Sequence, residues 1–214
     1  MSNPIVYGPS YSTYVRTARL ALEEKGVAYD LKEVDMMKGD CQKPDYLARQ
    51  PFAKVPAFQQ NGFGLYETAA IARYIDEAFP GPKLQPADAK KRARMAQIVS
   101  IVDSYGYGCF IGKVVWQRVV VPMQGGKPDE TVIKDALPQA EKTVAALEAL
   151  ADDQGPYLCG SEISLADLHL GPVIAYFSGT PEGEKLMAGA PKLSRWWKAF
   201  SARPSVARTE PKFG

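Results

Sequence analysis

The sequence predicts an α/β domain at the N-terminus followed by an all-α helical domain. Three observations lead to this prediction: strand and helix patterns alternate through residues 1–80, the segment 81–88 is rich in proline and glycine, and residues 89–214 carry helical patterns without a convincing strand. The middle segment is therefore predicted to link two domains. A chain of this length buries roughly 70% of its surface on folding, so neither domain requires a disulfide or a metal ion.

The first elements predict a β-α-β unit. Ile5-Val6-Tyr7 is a short apolar run ending at Gly8, as in a buried strand. Hydroxyl residues then precede a helical pattern that stops at Lys25-Gly26, and apolar residues alternate with polar ones from Tyr29 to Val34. We expect two parallel strands joined by a right-handed crossover.

The rest of this domain adds two helices and a hairpin. A short helix is expected over Pro44 to Arg49. Asn61-Gly62 lies between two apolar runs, which is a hairpin signal, and Glu67 to Phe79 has helical spacing. The predicted order of the domain is β-α-β-α-β-β-α.

Beyond the linker, the apolar spacing predicts helices at about 89–121, 129–152, 164–177, 182–188 and 192–202. Gly106, Gly108 and Gly112 predict a bend in the first of them. Ser164 and Asp167 have the spacing of a capping box, which is a folding signal rather than a functional one.

Composition and charge exclude several classes of protein. The 26 Lys and Arg residues against 24 Asp and Glu residues give a net charge of +2, which does not indicate a nucleic-acid-binding protein. Cys41, Cys109 and Cys159 are widely spaced and lack metal-ligand spacing, so neither a disulfide scaffold nor a metal site is expected. The N-terminus lacks a signal-peptide pattern, and no apolar run approaches the roughly 20 residues that span a bilayer. We expect a reduced, cytoplasmic protein with no nucleic-acid or membrane partner.

The start of the first helix is the first candidate for chemistry. Ser12 follows a strand that ends in glycine, and the first-turn amides of a helix carry a partial positive charge. A hydroxyl group there can donate a hydrogen bond to an anion such as a thiolate. The alternative is that Ser12 or Thr13 is an ordinary helix N-cap.

Two further segments extend this candidate site. A cis proline at Pro56 would turn the Val55 backbone towards the start of the first helix, where it can pair with an extended peptide; the alternative is a trans proline that begins a strand. Glu67 and Thr68 begin the next helix, where they can hold an ammonium and a carboxylate, or form an ordinary helix cap. Together these groups match a small peptide that carries a thiol and an α-amino-acid end.

At these residues the chain resembles the cytosolic glutathione transferases of the serine type, with the phi class the nearest. The match spans residues 5 to about 175 and depends on motifs in the order typical of the family. They are Val6-Tyr7-Gly8-Pro9-Ser10-Tyr11-Ser12-Thr13, Gln50-Pro51-Phe52-Ala53-Lys54-Val55-Pro56-Ala57-Phe58, Leu65-Tyr66-Glu67-Thr68-Ala69-Ala70-Ile71, and Tyr157-Leu158-Cys159-Gly160 with Ser164-Leu165-Ala166-Asp167.

The resemblance implies a thioredoxin-like N-terminal domain with cis Pro56, a homodimer, and glutathione as co-substrate with no bound cofactor. It implies that Ser12 is catalytic and hydrogen-bonds the glutathione sulfur. Lys54 would bind the glycyl carboxylate, the Val55 backbone the cysteinyl unit, and Glu67 with Thr68 the γ-glutamyl end.

Four positions depart from the family pattern. Cys41-Gln42 stands where the phi class has a His-Lys pair that contacts glutathione, so Gln42 is the glutathione-binding candidate there. Cys41 is expected to be either a packed side chain or a reactive thiol in a loop near glutathione. Thr68 replaces a serine and keeps the hydroxyl, and Ala53 replaces a glycine, which we expect to be a minor change.

The second substrate is expected between the domains, against aromatic side chains. Each candidate has core packing as its alternative; the candidates are Tyr11, Tyr14, Tyr107, Phe110, Trp116 and Phe177. By resemblance, Asp103 would face the glutathione amine of a partner subunit, and Phe52 would insert into the helical domain of a partner.

The expected activity is conjugation of the glutathione thiolate to small, mostly hydrophobic electrophiles, with glutathione peroxidase activity as a side reaction. One alternative is a glutathione-dependent isomerase of the zeta type, although Ser12-Thr13-Tyr14 lacks the Ser-Cys pair of that class. The other is a non-catalytic binding module that keeps the same fold. The intact set of Ser12, Pro56, Glu67 and Thr68 argues against the binding module.

Overall fold

The chain divides into two compact units. Their boundaries differ from those predicted for the two domains. The structure, a computed structural model, describes residues 2–211. Of the described residues, the first unit comprises 2–85 together with 202–211, and the second is Pro86–Ser201. The division falls inside the predicted linker 81–88. The C-terminal segment, which we assigned to the helical domain, packs with the first unit instead.

The first unit has the element order that the sequence predicts, with one helix added from the C-terminal segment. Its strands are β1 (Ile5–Tyr7), β2 (Asp30–Lys32), β3 (Ala57–Gln60) and β4 (Phe63–Tyr66). Its helices are α1 (Thr13–Lys25), α2 (Pro44–Leu47), α3 (Thr68–Ala78) and α9 (Pro204–Arg208), with a 3₁₀ turn at Asp40–Gln42.

The sheet brings one end of each of three strands, β1, β3 and β4, to the same edge. In the described residues its strand order is β2-β1-β3-β4, with β1 parallel to β2 and antiparallel to β3. Tyr7 at the end of β1 is opposite Ala57 at the start of β3, and Ala57 is opposite Tyr66 at the end of β4. The segments after β1, before β3 and after β4 therefore lie side by side. The predicted hairpin is confirmed, since Asn61 and Gly62 have positive φ angles of 47° and 85°.

The second unit is helical. Its helices are α4 (Ala89–Met123), α5 (Glu130–Leu150), α6 (Leu165–Phe177), α7 (Pro181–Ala188) and α8 (Pro191–Ser201). Within residues 86–201, all of which the structure describes, the β-type pairing is an isolated bridge between Tyr157 and Gly160. The capping box of Ser164 and Asp167 is present at the start of α6.

Helix α4 changes its hydrogen-bonding pattern near the glycines where we predicted a bend. It runs as a π-helix over Val102–Gly106 and again over Phe110–Val120. By length and composition α4 is also apolar enough to cross a membrane, which the sequence analysis did not anticipate. Part of this apolar stretch, 39% of it, is buried within the structure, and Phe110 in α4 is fully buried against neighbouring helices.

A buried ion pair fastens the end of the first unit to α1. Lys25 Nζ lies 3.1 Å from Asp76 Oδ1, and both side chains are almost fully inaccessible to solvent. The same ammonium donates to the carbonyl oxygen of Pro82 at 2.9 Å, and Asp76 Oδ1 accepts from the Leu84 amide at 2.8 Å. One charge pair thus holds the C-terminal ends of α1 and α3 and the segment that follows them.

We predict that Lys25→Met lowers the free energy of unfolding by about 3–5 kcal/mol, because it leaves the Asp76 carboxylate buried without its cation. Urea denaturation followed by circular dichroism measures the change. Lys43→Met is the control, since the ammonium of Lys43 pairs with Asp40 at an exposed site and its loss should leave the midpoint nearly unchanged. A Lys25→Met midpoint equal to that of the control would contradict the anchoring role.

Candidate functional site

The turn from β1 into α1 is shaped by a residue without a side chain. Gly8 has a φ angle of 145°. A Cβ atom there would lie 2.4 Å from Val15 Cγ2 and 3.1 Å from Val55 Cβ. The first distance is shorter than real Cβ contacts, and the second is tighter than most of them, so a side chain at this position would displace Val15 and crowd Val55 at the end of β1.

Ser12 is the N-cap of α1, as the alternative interpretation predicted. Its backbone is extended, with φ −68° and ψ 129°, and its Oγ accepts a hydrogen bond from the Val15 amide at 3.4 Å. A serine hydroxyl both accepts and donates, so its proton remains able to donate to an anion outside the helix. The capping role and the anion-binding role are therefore compatible.

The segment before β3 contains the cis peptide bond that the resemblance implied, between Val55 and Pro56. Two side chains that the sequence analysis gave no role hold the loop ahead of it. The buried Gln50 accepts from the amides of Phe52 at 2.7 Å and Lys54 at 3.2 Å. The Tyr46 hydroxyl donates to the Lys54 carbonyl oxygen at 2.6 Å. Their signal in the sequence was only their position, Gln50 at the start of the motif and Tyr46 just before it, because a hydrogen bond to the backbone leaves no periodic pattern.

The Lys54 ammonium and the Glu67 carboxylate belong to residues that are exposed to solvent, whereas Thr68 is buried. Glu67 has a positive φ of 71° with ψ 113°, a conformation that L-residues rarely adopt, and it stands directly before the first residue of α3. Within the described chain, its side chain makes no capping hydrogen bond to α3. The first amides of α3 are therefore not capped by the Glu67 side chain.

Ala53 also has a positive φ, of 53°, which explains why the family pattern has glycine at this position. The left-handed conformation costs a residue with a Cβ atom roughly 1–2 kcal/mol. The replacement is thus less neutral than we expected from the sequence. Part of the cost is offset because Ala53 packs against the cluster that includes Tyr7 and Tyr46.

The three segments share the sheet edge described above. Ser12 follows β1, Val55 and Pro56 precede β3, and Glu67 with Thr68 follows β4. The arrangement offers a hydroxyl at a helix start, an unpaired backbone segment beside it, and a second helix start with an adjacent carboxylate. Chemically, this set can hold an anion, an extended peptide and an α-amino-acid group.

The position expected to be either reactive or packed, Cys41, is packed. It is buried in a cluster with Val34, Tyr46 and Ala57, and burial raises the pKa of its thiol, to which the nearby Asp40 carboxylate adds. Gln42 beside it is exposed at the end of the 3₁₀ turn. A raised pKa means less thiolate at neutral pH, so Cys41 is a poor nucleophile.

The other two cysteines are buried as well. Burial raises the pKa of Cys109, and it raises that of Cys159 to about 11. Within residues 2–211, no group of three or more His, Cys, Asp or Glu side chains is placed to hold a metal ion.

The aromatic candidates separate into exposed and buried side chains. Tyr11 is 37% exposed and Trp116 is 44% exposed, while Tyr14 and Tyr107 are half-buried. Burial raises the pKa of Tyr11, with a further contribution from the carboxylates of Asp35 and Glu33.

Phe110 and Phe177 instead pack inside the helical unit. Neither ring has accessible surface, and their centroids lie 4.3 Å apart. For these two residues the core-packing alternative is the correct one, because a fully buried ring offers no surface to a substrate.

Asp103 has a partner within its own chain. Its Oδ1 lies 2.7 Å from Nε2 of the buried His169, the single histidine of the sequence. Asp103 itself is exposed and lies in the first π-helical stretch of α4. The carboxylate is therefore held by α6, and its suggested role towards a partner subunit stays a prediction.

Comparison with known families decides what kind of protein this is. Residues 6–83 match the model for the glutathione S-transferase N-terminal domain, and residues 107–204 match the model for the C-terminal domain. A probable glutathione S-transferase, GSTF1, from Oryza sativa subsp. japonica is 32% identical over 209 residues, covering 95% of this chain and 93% of that protein. The chain belongs to the glutathione S-transferase family.

Solved structures of glutathione S-transferases agree with the fold. The crystal structure of glutathione transferase F2 from Populus trichocarpa has a TM-score of 0.86 at 32% identity and covers 96% of each chain. Glutathione S-transferase I from maize, solved in complex with an atrazine glutathione conjugate, has a TM-score of 0.83 at 26% identity, covering 97% of this chain and 96% of that one. The predicted family, its phi-like character and the two-part fold are confirmed.

We predict that Gly8→Ala lowers the free energy of unfolding by about 2–4 kcal/mol, because the new methyl group overlaps Val15 and alanine disfavours the positive φ. It should also weaken glutathione binding by separating α1 from the Val55 segment. Thermal unfolding and isothermal titration with glutathione measure the two effects. In the control, Gly64→Ala, the added Cβ meets open space. Equal behaviour of the two variants would show that the close approach at Gly8 is unimportant.

Proposed function

We propose that the chain is a glutathione transferase that uses Ser12 to stabilise the thiolate of glutathione and couples it to small, mostly hydrophobic electrophiles. The observation that carries the proposal is the meeting of the α1 N-terminus, the cis Val55–Pro56 segment and the α3 N-terminus at one sheet edge. The maize relative solved with a glutathione conjugate supports the same reaction class for this chain.

Each part of glutathione has a chemically matched group in the proposed site. The cysteinyl backbone pairs with the N–H and C=O of Val55, in the manner of an added strand. The γ-glutamyl carboxylate binds the first amides of α3 and the Thr68 hydroxyl, and its ammonium pairs with Glu67. The glycyl carboxylate binds Lys54 and the amide of Gln42.

The free-energy requirement for activating the thiol is modest. A free thiol has a pKa of about 8.5, and lowering it by about two units requires roughly 2.7 kcal/mol. A hydrogen bond from Ser12 to a charged sulfur supplies about 1.5–3 kcal/mol, and a helix N-terminus supplies about 0.3–1 kcal/mol. The two contributions suffice without a general base on the protein.

The electrophile is held beside the sulfur, so the reaction becomes effectively intramolecular. Tyr11 and Tyr14 flank Ser12 in the sequence, and Tyr107 and Trp116 are the remaining aromatic candidates in α4. With a hydroperoxide as electrophile, the thiolate attacks the terminal oxygen and releases an alcohol, and a second glutathione converts the sulfenic acid to the disulfide and water. We therefore include peroxidase activity as a side reaction.

A homodimer in the cytoplasm is part of the proposal. Phe52 is 65% exposed, and its ring meets that of Tyr66 edge-on, with the centroids 6.0 Å apart. Tyr66 ends β4, an edge strand of the sheet in the described residues. An apolar ring next to a sheet edge favours burial against a second copy of the chain, into whose helical unit Phe52 would insert.

We predict that Ser12→Ala lowers kcat/KM for an aryl halide by about 10–100-fold, because the sulfur loses a charge-assisted hydrogen bond. A depressed thiol pKa makes wild-type kcat/KM rise with pH to a plateau reached near neutrality. In the variant that rise should move upward, towards the pKa of free glutathione. A pH series of initial rates measures both effects.

Asp88→Ala is the matched control for Ser12→Ala, because Asp88 is also an N-cap, for α4, and accepts from the Lys91 amide at 2.9 Å. Both variants should lose about 1 kcal/mol of stability, but only Ser12→Ala should change the pH profile. Equal rates in wild type and Ser12→Ala would overturn the catalytic assignment and leave a binding module as the better description.

We predict that Phe52→Ala raises the dimer dissociation constant at least tenfold, because truncating a buried aromatic anchor removes a main contact of an interface. Sedimentation equilibrium measures the constant. Met123→Ala is the control, since Met123 is similarly exposed, at 68%, in the helical unit. A tight dimer that is unchanged by Phe52→Ala would remove Phe52 from the interface.

A further inference from the structure

The C-terminal segment, residues 202–211, lies along α1. Arg203 and Ser205 hydrogen-bond the Glu24 carboxylate near the C-terminal end of α1, and Arg208 pairs with Glu23 at 2.5 Å. From there the segment continues towards the N-terminal half of the helix, where it meets two arginines. No motif in the sequence assigns a role to this segment.

The two arginines are Arg16 and Arg19, and both are buried, at 6% and 8% exposure. Arg16 donates to the Val206 carbonyl oxygen at 2.9 Å and to Thr209 Oγ1 at 3.3 Å. Arg19 donates to the carbonyl oxygens of Thr209 at 3.2 Å and Arg208 at 3.4 Å. Its Nε also donates to the Tyr29 hydroxyl at 3.0 Å.

The residues that meet the segment follow one face of α1. Ser12, Arg16, Arg19 and Glu23 are spaced at alternating intervals of four and three residues, which places them on one side of a helix. Arg16 is one turn from Ser12, and its amide donates to the Ser12 carbonyl oxygen at 2.9 Å. Arg19 is almost two turns away, so the two arginines share the segment but differ in their distance from Ser12.

We propose that Arg16 is a positioning residue for thiolate activation: its guanidinium fixes the first turn of α1 against the C-terminal segment and so sets where the Ser12 hydroxyl stands. The inference rests on the proposed function, because it assigns Arg16 an effect through Ser12. It also makes the C-terminal segment part of the glutathione-binding unit. Arg16 itself contacts the segment and is not assigned a contact with glutathione.

The rigidity of the Arg16 contacts connects the C-terminal segment to Ser12. A buried guanidinium is costly unless its donors are satisfied, so the fork of Arg16 holds its acceptors at a defined distance and angle. The first backbone hydrogen bond of the helix, from the Arg16 amide to the Ser12 carbonyl oxygen, restrains Ser12 in turn. A catalytic hydrogen bond is sensitive to displacements well below 1 Å, because misplacement by about that much can cost a factor of about 100 in rate.

The test compares Arg16→Lys with Arg19→Lys in the full chain. Both variants keep the positive charge, so the electrostatic influence of Glu23, Glu24, Arg203 and Arg208 on the site is preserved. Both lose the planar fork that meets the C-terminal segment. The readouts are the melting temperature and the pKa of the bound glutathione thiol, followed by its thiolate absorbance as the pH is changed.

We expect the two variants to lower the melting temperature by similar amounts. Only Arg16→Lys should raise the pKa of the bound thiol, by at least about half a unit, and lower kcat/KM by roughly tenfold. Thr209→Val removes the side-chain acceptor of Arg16 while keeping the carbonyl oxygen used by Arg19, and should shift the thiol pKa in the same direction by less. If Arg16→Lys does not fold, the pKa of the bound thiol in Thr209→Val tests the inference in its place.

The result that would contradict only the role of Arg16 differs from the result that would contradict the proposed function. A depressed thiol pKa in the wild type that is unchanged in both Arg16→Lys and Thr209→Val, or changed equally by Arg16→Lys and Arg19→Lys, overturns this inference alone. A bound thiol in the wild type with the pKa of free glutathione overturns the proposed function and this inference with it.

Discussion

The contact over Gly8 is the constraint on which the site depends. Val15 of α1 and Val55 of the loop before β3 both close over the end of β1, and a single added methyl group would push them apart. That contact brings a helix start and an unpaired backbone segment to the same place. The register of β3 against β4 then adds the start of α3. The candidate site is thus a product of strand pairing and one missing side chain.

The buried and the exposed polar side chains of the first unit have different roles. The buried ones fix the backbone: Gln50 holds the loop before the cis bond, and the pair of Lys25 and Asp76 holds the end of the first unit. The exposed ones, Lys54 and Glu67, face solvent, where charged groups of a substrate can reach them. A hydrogen-bonded frame beneath exposed charged side chains suits the binding of a small peptide with charged ends, because preorganised groups lower the cost of binding.

Much of the fold was accessible from the sequence, for identifiable reasons. Apolar spacing predicted the element order, and Asn61-Gly62 predicted the hairpin, because both signals are local. The cis state of Pro56 came from the resemblance, since no local signal in Val55-Pro56 distinguishes the two isomers. Phe110 and Trp116 lie in a π-helical stretch, where the repeat differs from that of an α-helix, so helical spacing did not tell the buried ring from the exposed one. The C-terminal segment was assigned to the wrong unit because arginine donors on backbone carbonyls leave no periodic pattern.

The roles of the site residues are less accessible than the fold, because they depend on where a ligand lies. A hydroxyl that caps a helix and a hydroxyl that holds a thiolate have the same sequence signature, and the geometry at Ser12 shows the first role and is compatible with the second. The most direct test of the account is a crystal structure of the chain with glutathione bound. It should show the sulfur within about 3.5 Å of Ser12 Oγ, with the cysteinyl backbone paired to Val55 and the γ-glutamyl carboxylate at the Thr68 amide. A glutathione bound with its sulfur directed away from Ser12, or bound away from this sheet edge, would contradict it.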